Sequence, residues 1–129
     1  MSRRLLLAAL AGLAGTVAVP ASAAAASGFC SPTGDYCTSA VVRQGAVRLA
    51  LTTFSFTGKV RVCVAPPGGG TPDCRRFTLQ NGPAGTFGID VRWSAHFPRR
   101  GPGTYRVSFA PDAAGGQKLG PSVSFRRKG

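Results

Sequence analysis

There is no glutamate in this sequence, and its four acids are all aspartates: Asp35, Asp73, Asp90 and Asp112. His96 is the single histidine. No two acids are spaced as an acid/base pair, so hydrolysis by paired carboxylates has no candidates. No glycine-rich loop runs into a helix to cradle a phosphate. Asp90, Arg92, Ser94 and His96 share one strand parity and superficially assemble a Ser, a His and an Asp. Strand neighbours two residues apart lie about 7 Å from each other, too far for the hydrogen-bonded relay of acyl transfer. His96 therefore reads as an exposed strand-end residue. The chain is expected not to be an enzyme and to need no cofactor.

Long apolar runs are also scarce, and the only one is LLLAALAGLAGTVAV at residues 5–19. It follows a short basic start, Met1-Ser2-Arg3-Arg4, and precedes Pro20-Ala21-Ser22-Ala23. That order describes a secretory signal peptide over residues 1–26, cleaved after Ala23 or Ala26, and the run is too short to span a bilayer. The paired arginines resemble part of a twin-arginine signal, but the short basic region and strongly apolar core fit general secretion better. Cys30 lies beyond both cleavage points, so lipid attachment is not expected. What remains, residues 27–129, is one domain of about 105 residues, expected to be a monomer without a transmembrane segment.

Four cysteines in a short exported chain read as two disulfides. Zinc is a poorer reading, because the spacings Cys30-x6-Cys37 and Cys63-x10-Cys74 lack the short knuckle of a structural site. Three pairings are possible, and proximity favours Cys30–Cys37 with Cys63–Cys74. Charge is lopsided. With Arg3 and Arg4 removed, fourteen basic residues face four acids, a net charge of +10. Such a domain is drawn to polyanions: cell-wall polymers, anionic lipid surfaces and extracellular nucleic acid.

After residue 26 the apolar residues recur with period two. Val47, Leu49 and Leu51 alternate with polar or small residues, as do Val60, Val62 and Val64, then Phe87, Ile89, Val91 and Trp93. Tyr105, Val107 and Phe109 repeat the pattern, followed by Val123 and Phe125. With residues 38–43 and 75–79 these predict seven half-buried strands separated by turn chemistry such as Gln44-Gly45, Asn81-Gly82-Pro83 and Gly115-Gly116. Seven short antiparallel strands predict a two-sheet sandwich of immunoglobulin-like topology. In that topology Tyr105 either ties down the corner before its strand or is an ordinary core aromatic with a wet hydroxyl.

The connection VAPPGGGTPD between residues 64 and 73 is mostly proline and glycine and would leave its hairpin loosely registered. A Cys63–Cys74 bond would hold the register and contribute about 3 kcal/mol by restricting the unfolded chain. The alternative is a presented loop, a protease-inhibitor bait at residues 65–73, but it has no aromatic, arginine or leucine anchor. Cys30 to Cys37 closes a second loop, with Tyr36 as its contact residue.

The cations are better placed than the loops. In immunoglobulin-like topology the third, sixth and seventh strands share a sheet, and the stapled hairpin adds the fourth. Arg61, Arg76, Arg106 and Arg126, with Lys59 and Lys128 nearby, then line one exposed face, Arg76 depending on the hairpin register. The tail Arg126-Arg127-Lys128 extends that face. This is a candidate surface for an anionic envelope polymer or lipid surface. The competing explanation is that outward charges keep a small sheet soluble and its edges unpaired. Specific nucleic-acid recognition is not expected, because Phe and Trp occupy core parity instead of standing among the cations.

Three segments, FCSPTGDYCTS, VRWSAHFPRRGPGTYRVSF and the closing LGPSVSFRR, resemble small actinobacterial secreted β-sandwich proteins of unassigned function. In architecture the chain is also similar to the neocarzinostatin group of secreted apoproteins. The shared points are size, a disulfide across the third–fourth hairpin and the last hairpin, FAPDAAGG to GPSVSF. That resemblance implies an immunoglobulin-like sandwich carrying a small molecule in a cleft. Those apoproteins are acidic and place their second disulfide late, so no binding residue is transferred. The expectation is a secreted or envelope-associated, non-enzymatic binding or structural domain, with small-molecule carriage and protease inhibition as alternatives.

Overall fold

The period-two pattern is realised as two antiparallel sheets packed face to face. The computed structural model of the protein describes residues 26–128. The signal-peptide reading, apart from its last position Ala26, lies outside the described residues. One sheet contains β1 (Ala26–Cys30), β2 (Tyr36–Arg43), β3 (Ala46–Thr53), β7 (Phe87–Arg92) and β6 (Gln80–Asn81), hydrogen-bonded in that order. The other runs β5 (Asp73–Thr78), β4 (Lys59–Ala65), β8 (Gly103–Pro111), β9 (Val123–Arg127). The third, sixth and seventh strands expected from sequence therefore do share a sheet, joined by the second strand of the stapled hairpin.

The core lies between the sheets. Ala40, Val47, Leu49, Leu51 and Ile89 come from the first sheet, and Val60, Val62, Val64, Val107, Phe109 and Phe125 from the second. All are buried on one parity of their strands, while the alternate positions face outward, as half-buried strands require. β2 turns into β3 through Gln44 and Gly45, both with positive φ (50° and 75°), the two-residue turn whose twist matches a hairpin. At the far side of the sandwich Ser124 N–H donates to Ser27 Oγ at 3.1 Å, joining β9 to β1 across the sheets.

Nine strands form among the described residues where seven were expected. β1 was missed because Ser27, Gly28 and Phe29 show no alternation, and pairing across the Cys30–Cys37 hairpin creates it. β6 has two polar residues and exists only because the chain changes sheets after β5. Leu79, expected inside a strand, is the crossing point: it is buried, and its N–H donates to Gly58 O at 2.8 Å. A third difference concerns Trp93 and His96. The strand stops at Arg92, and Trp93–His96 forms one helical turn, α1, closed by Phe97 N–H donating to Trp93 O at 2.9 Å. Its physical reason is the i, i+4 pair Trp93 and Phe97, both of which must be buried. Pro98 then ends the turn. His96 is exposed, as expected, but ends this helical turn and not a strand, and its ring meets Phe77 edge-on with centroids 5.0 Å apart.

The corner before β8 decides between the two readings of Tyr105. The ring is buried, stacked on Phe125 at 5.0 Å and edge-to-face with Trp93 at 5.1 Å. Its hydroxyl donates to Gly101 O at 2.6 Å and accepts from Arg100 N–H at 2.9 Å. Tyr105 ties down the corner.

Both disulfides follow the local pairing, Cys30–Cys37 and Cys63–Cys74, each joining directly opposed residues of a hairpin. The proline–glycine loop is also held at its base. Gly103 has φ +130°, and a Cβ there would sit 2.7 Å from Pro67 Cβ, so only glycine admits the loop this close.

Tyr105→Phe keeps the ring stack and deletes both corner hydrogen bonds. It is expected to cost about 1–2 kcal/mol, read from the urea midpoint followed by Trp93 fluorescence. An unchanged midpoint would show that the hydroxyl contacts do not stabilise the corner.

Candidate functional site

Disulfide register determines which cations meet. Cys63 opposes Cys74, so two residues on Arg61 opposes Arg76, and both point away from the core. Lys59 is next on the same outward parity of β4. Arg106 and Arg126 also face outward on β8 and β9, on neighbouring positions, since Arg106 opposes Ser124 and Thr104 opposes Arg126. Arg61 opposes Ala110, which lies four residues, or about 13 Å, along β8 from Arg106. The outer face of the four-stranded sheet thus carries two cationic groups. Lys59, Arg61 and Arg76 form one, Arg106 and Arg126 the other, with the Cys63–Cys74 bond and Ser108 between them.

Arg76 Nε lies 3.3 Å from Asp112 Oδ2, but the arginine side chain is 70% exposed. An ion pair in that setting contributes little and screens the charge without removing it. Lys128 is exposed at the end of β9, and its carbonyl accepts from Arg99 Nη2 at 2.7 Å. Arg127 does not join this face. It has the core parity of Val123 and Phe125, its guanidinium carbon lies 5.9 Å from the Trp93 ring centroid, and Nη1 donates to Gly45 O at 3.3 Å. An arginine over an indole face at the sandwich end is a cation–π contact, which removes Arg127 from the basic surface.

Arg75 also has core parity, yet it sits on the free edge strand β5 and donates Nη1–H to Cys74 O at 2.9 Å. An inward charge on an edge strand blocks pairing with another sheet.

A second cluster lies on the outer face of the other sheet, where sequence reasoning placed no site. Arg48 opposes Arg92 directly, and Arg43 is two positions along β2 from Val41, the other neighbour of Arg48. The three arginines, with Gln44 and Ala46, line an open concavity of about 500 Å³. Outward parity of Arg48 and Arg92 was legible in the sequence. Their meeting depends on the β3–β7 register, which no local signal carries.

The 65–73 loop offers a different kind of contact. Asp73 receives Arg100 Nε at 3.3 Å and Nη2 at 3.1 Å, a two-pronged bridge from loop to corner. The hydrogen bonds from Arg100 hold the Asp73 carboxyl below its usual value, against a smaller opposing effect of desolvation. Among the described residues no three of His, Cys, Asp or Glu converge to hold a metal ion, and no helix is long and apolar enough to cross a membrane.

No protein-family model matches the chain, and neither the curated proteins nor the solved structures contain a match.

Because the Asp73 carboxyl is depressed in the folded state, its contribution to stability is present above the unfolded value near 3.9. That contribution is lost as pH falls through the lower folded value. Carboxyl ¹³C titration should find Asp73 titrating below 3.9, and Arg100→Gln should return it toward that value. An Asp73 titration identical in the two proteins would dissolve the bridge.

Proposed function

We propose that this is a secreted, non-enzymatic domain that engages a linear anionic polymer of the cell envelope through the outer face of its four-stranded sheet. The observation that carries the reading is the arrangement of Arg61 and Arg76, with Lys59, on the same sheet face as Arg106 and Arg126, with Arg61 and Arg106 offset by about 13 Å along β8 and Arg126 lying further on. Two cationic groups at that separation suit a repeating polyanion that bridges them better than a single small ion. One acid, Asp112, contacts this face, through an exposed pair. Polymer binding of this kind draws its free energy from counterion release, so it weakens steeply with salt.

The remaining features support the same reading. The sheet partition β5-β4-β8-β9 against β1-β2-β3-β7-β6 and the tied corner at Tyr105 suit an immunoglobulin-like sandwich of the kind that the resemblance to small secreted proteins implies. Two disulfides suit an oxidising compartment outside the cell. A single-copy domain is in keeping with the guarded β5 edge. Val60, Val62 and Val107 are fully buried between the sheets, which suits a role carried by the surface. The loop at residues 65–73 is docked through Asp73 and Pro67, which favours a structural part over a protease bait.

The mature domain should be retained on a polyanion resin and elute early when salt is raised. Combined Arg61→Ala, Arg106→Ala and Arg126→Ala should shift elution to much lower salt and reduce the slope of log affinity on log salt by up to about three. Retention unchanged by the triple substitution would sink the reading.

A further inference from the structure

We infer that the concavity between Arg43, Arg48 and Arg92 is a discrete binding site for one tetrahedral oxyanion, a phosphate or sulfate group. The site is separate from the polymer face and does not rest on it, since it lies on the outer surface of the other sheet. Three observations lead there.

The first is the cross-strand register. Arg48 and Arg92 stand directly opposite each other on β3 and β7, an arrangement in which like charges repel. Arg43 enters the same space from the end of β2. Ala46 also lines the concavity, and its small side chain leaves room for a small group beside the arginines.

The second is the supply of acid. The whole sequence has four carboxylate side chains. Asp73 is taken by Arg100 and Asp112 by Arg76, while Asp35 accepts from Thr33 Oγ1 at 2.8 Å. Asp90 alone reaches the cluster: its Oδ1 accepts from Arg48 Nε at 2.7 Å, and its carbonyl from Arg48 Nη2 at 3.2 Å. Those two bonds occupy Nε and Nη2 of Arg48, and neither engages its Nη1. Three guanidiniums then share one carboxylate, and no other acid of the chain is left to balance them. The cluster is left with a positive potential that favours an anion from solution. Guanidinium forks match the oxygen spacing of phosphate and sulfate, and holding one in advance reduces what binding must order.

The third is the turn at the rim. Gln44 has φ 50°, a left-handed conformation where asparagine or glycine is the ordinary choice for this turn. The strained residue lines the concavity, and the carbonyl of its neighbour Gly45 is held from behind by Arg127 Nη1. Strain kept at the edge of a charged recess is the pattern of a binding loop. The Arg127 guanidinium also adds a cation behind the turn.

The test is a ¹H–¹⁵N titration of the folded domain with inorganic phosphate at constant ionic strength, with chloride as the balancing salt. Saturable shifts are expected at the side-chain Nε–H of Arg48 and Arg92 and at the amides of Gln44 and Gly45, with sulfate competing. Arg92→Gln should weaken phosphate binding at least tenfold, and Arg43→Gln should weaken it as well. The Arg61/Arg106/Arg126→Ala protein should bind phosphate as before, which separates this site from the polymer face. Glycerol 3-phosphate and dimethyl phosphate distinguish the sources: binding of the first alone marks a terminal monoester, binding of both a phosphodiester within a chain. Shifts spread evenly over all arginines, or equal affinity in Arg92→Gln, would overturn the proposal.

Discussion

The aromatic joint of Trp93, Tyr105 and Phe125 is the contact on which the two-sheet arrangement turns. Trp93 follows the last residue of β7 in one sheet, whereas Tyr105 and Phe125 are paired neighbours on β8 and β9 of the other. Their rings meet at 5.0–5.1 Å, two of them stacked and the third edge-on. Such contacts contribute beyond the area they bury. From the same joint the Tyr105 hydroxyl holds the corner at Arg100 and Gly101, and Arg100 in turn holds Asp73 at the foot of the stapled loop. On the opposite side Arg127 covers the indole and grips the Gly45 turn. One packing event thereby positions a corner, a loop and the rim of a charged recess.

Charge follows a repeated design in the two sheets. Each has an arginine pair set directly opposite across adjacent strands, Arg61 with Arg76 and Arg48 with Arg92. Each pair has a single aspartate beside one member, Asp112 on Arg76 and Asp90 on Arg48. Opposed like charges cost a few tenths to about 1 kcal/mol in a sheet. Solubility alone does not call for that placement, since the same cations set diagonally would serve as well. The difference between the sheets lies in relief. On β4 and β5 the pair stands on an open surface with further cations some distance away. On β3 and β7 it is joined by Arg43 around a recess.

Much of this was legible in the residues. Alternation in residues 47–51, 60–64 and 105–109 is strong because each strand has one face in the core and one in water; which strands share a sheet came instead from the expected immunoglobulin-like topology. Local disulfides were legible because hairpin cysteines at short separation have one convenient partner. Other features depend on contacts that sequence periodicity does not encode. Trp93 fits a period of two with Ile89 and Val91 and a period of four with Phe97, and burial of Phe97 decided for the helical turn. Gln80 and Asn81 have no pattern of their own and become a strand by lying beside Phe87 and Gly88. Arg127 sits between Arg126 and Lys128 in a run of basic residues, yet strand parity turns it inward over the indole. The Arg43–Arg48–Arg92 recess needs Arg48 to pair with Arg92 across β3 and β7, a long-range register that becomes visible only once both strands are placed.

The hydrogen bond from Ser124 N–H to Ser27 Oγ spans 97 residues of chain. It gives the domain an order in time as well as in space. The two hairpins that carry disulfides can close as soon as a few neighbouring residues are available, because loop closure over so short a distance is entropically cheap. β1 has a partner in β2 at once, but the side of the sandwich it guards stays open until β9, the last strand, arrives. Covalent closure can therefore precede completion of the core, so partly folded chains already bear their final cross-links while one flank still exposes unpaired backbone. For a sandwich rich in long-range contacts, that final docking of last strand against first is the step at which folding and aggregation compete most directly.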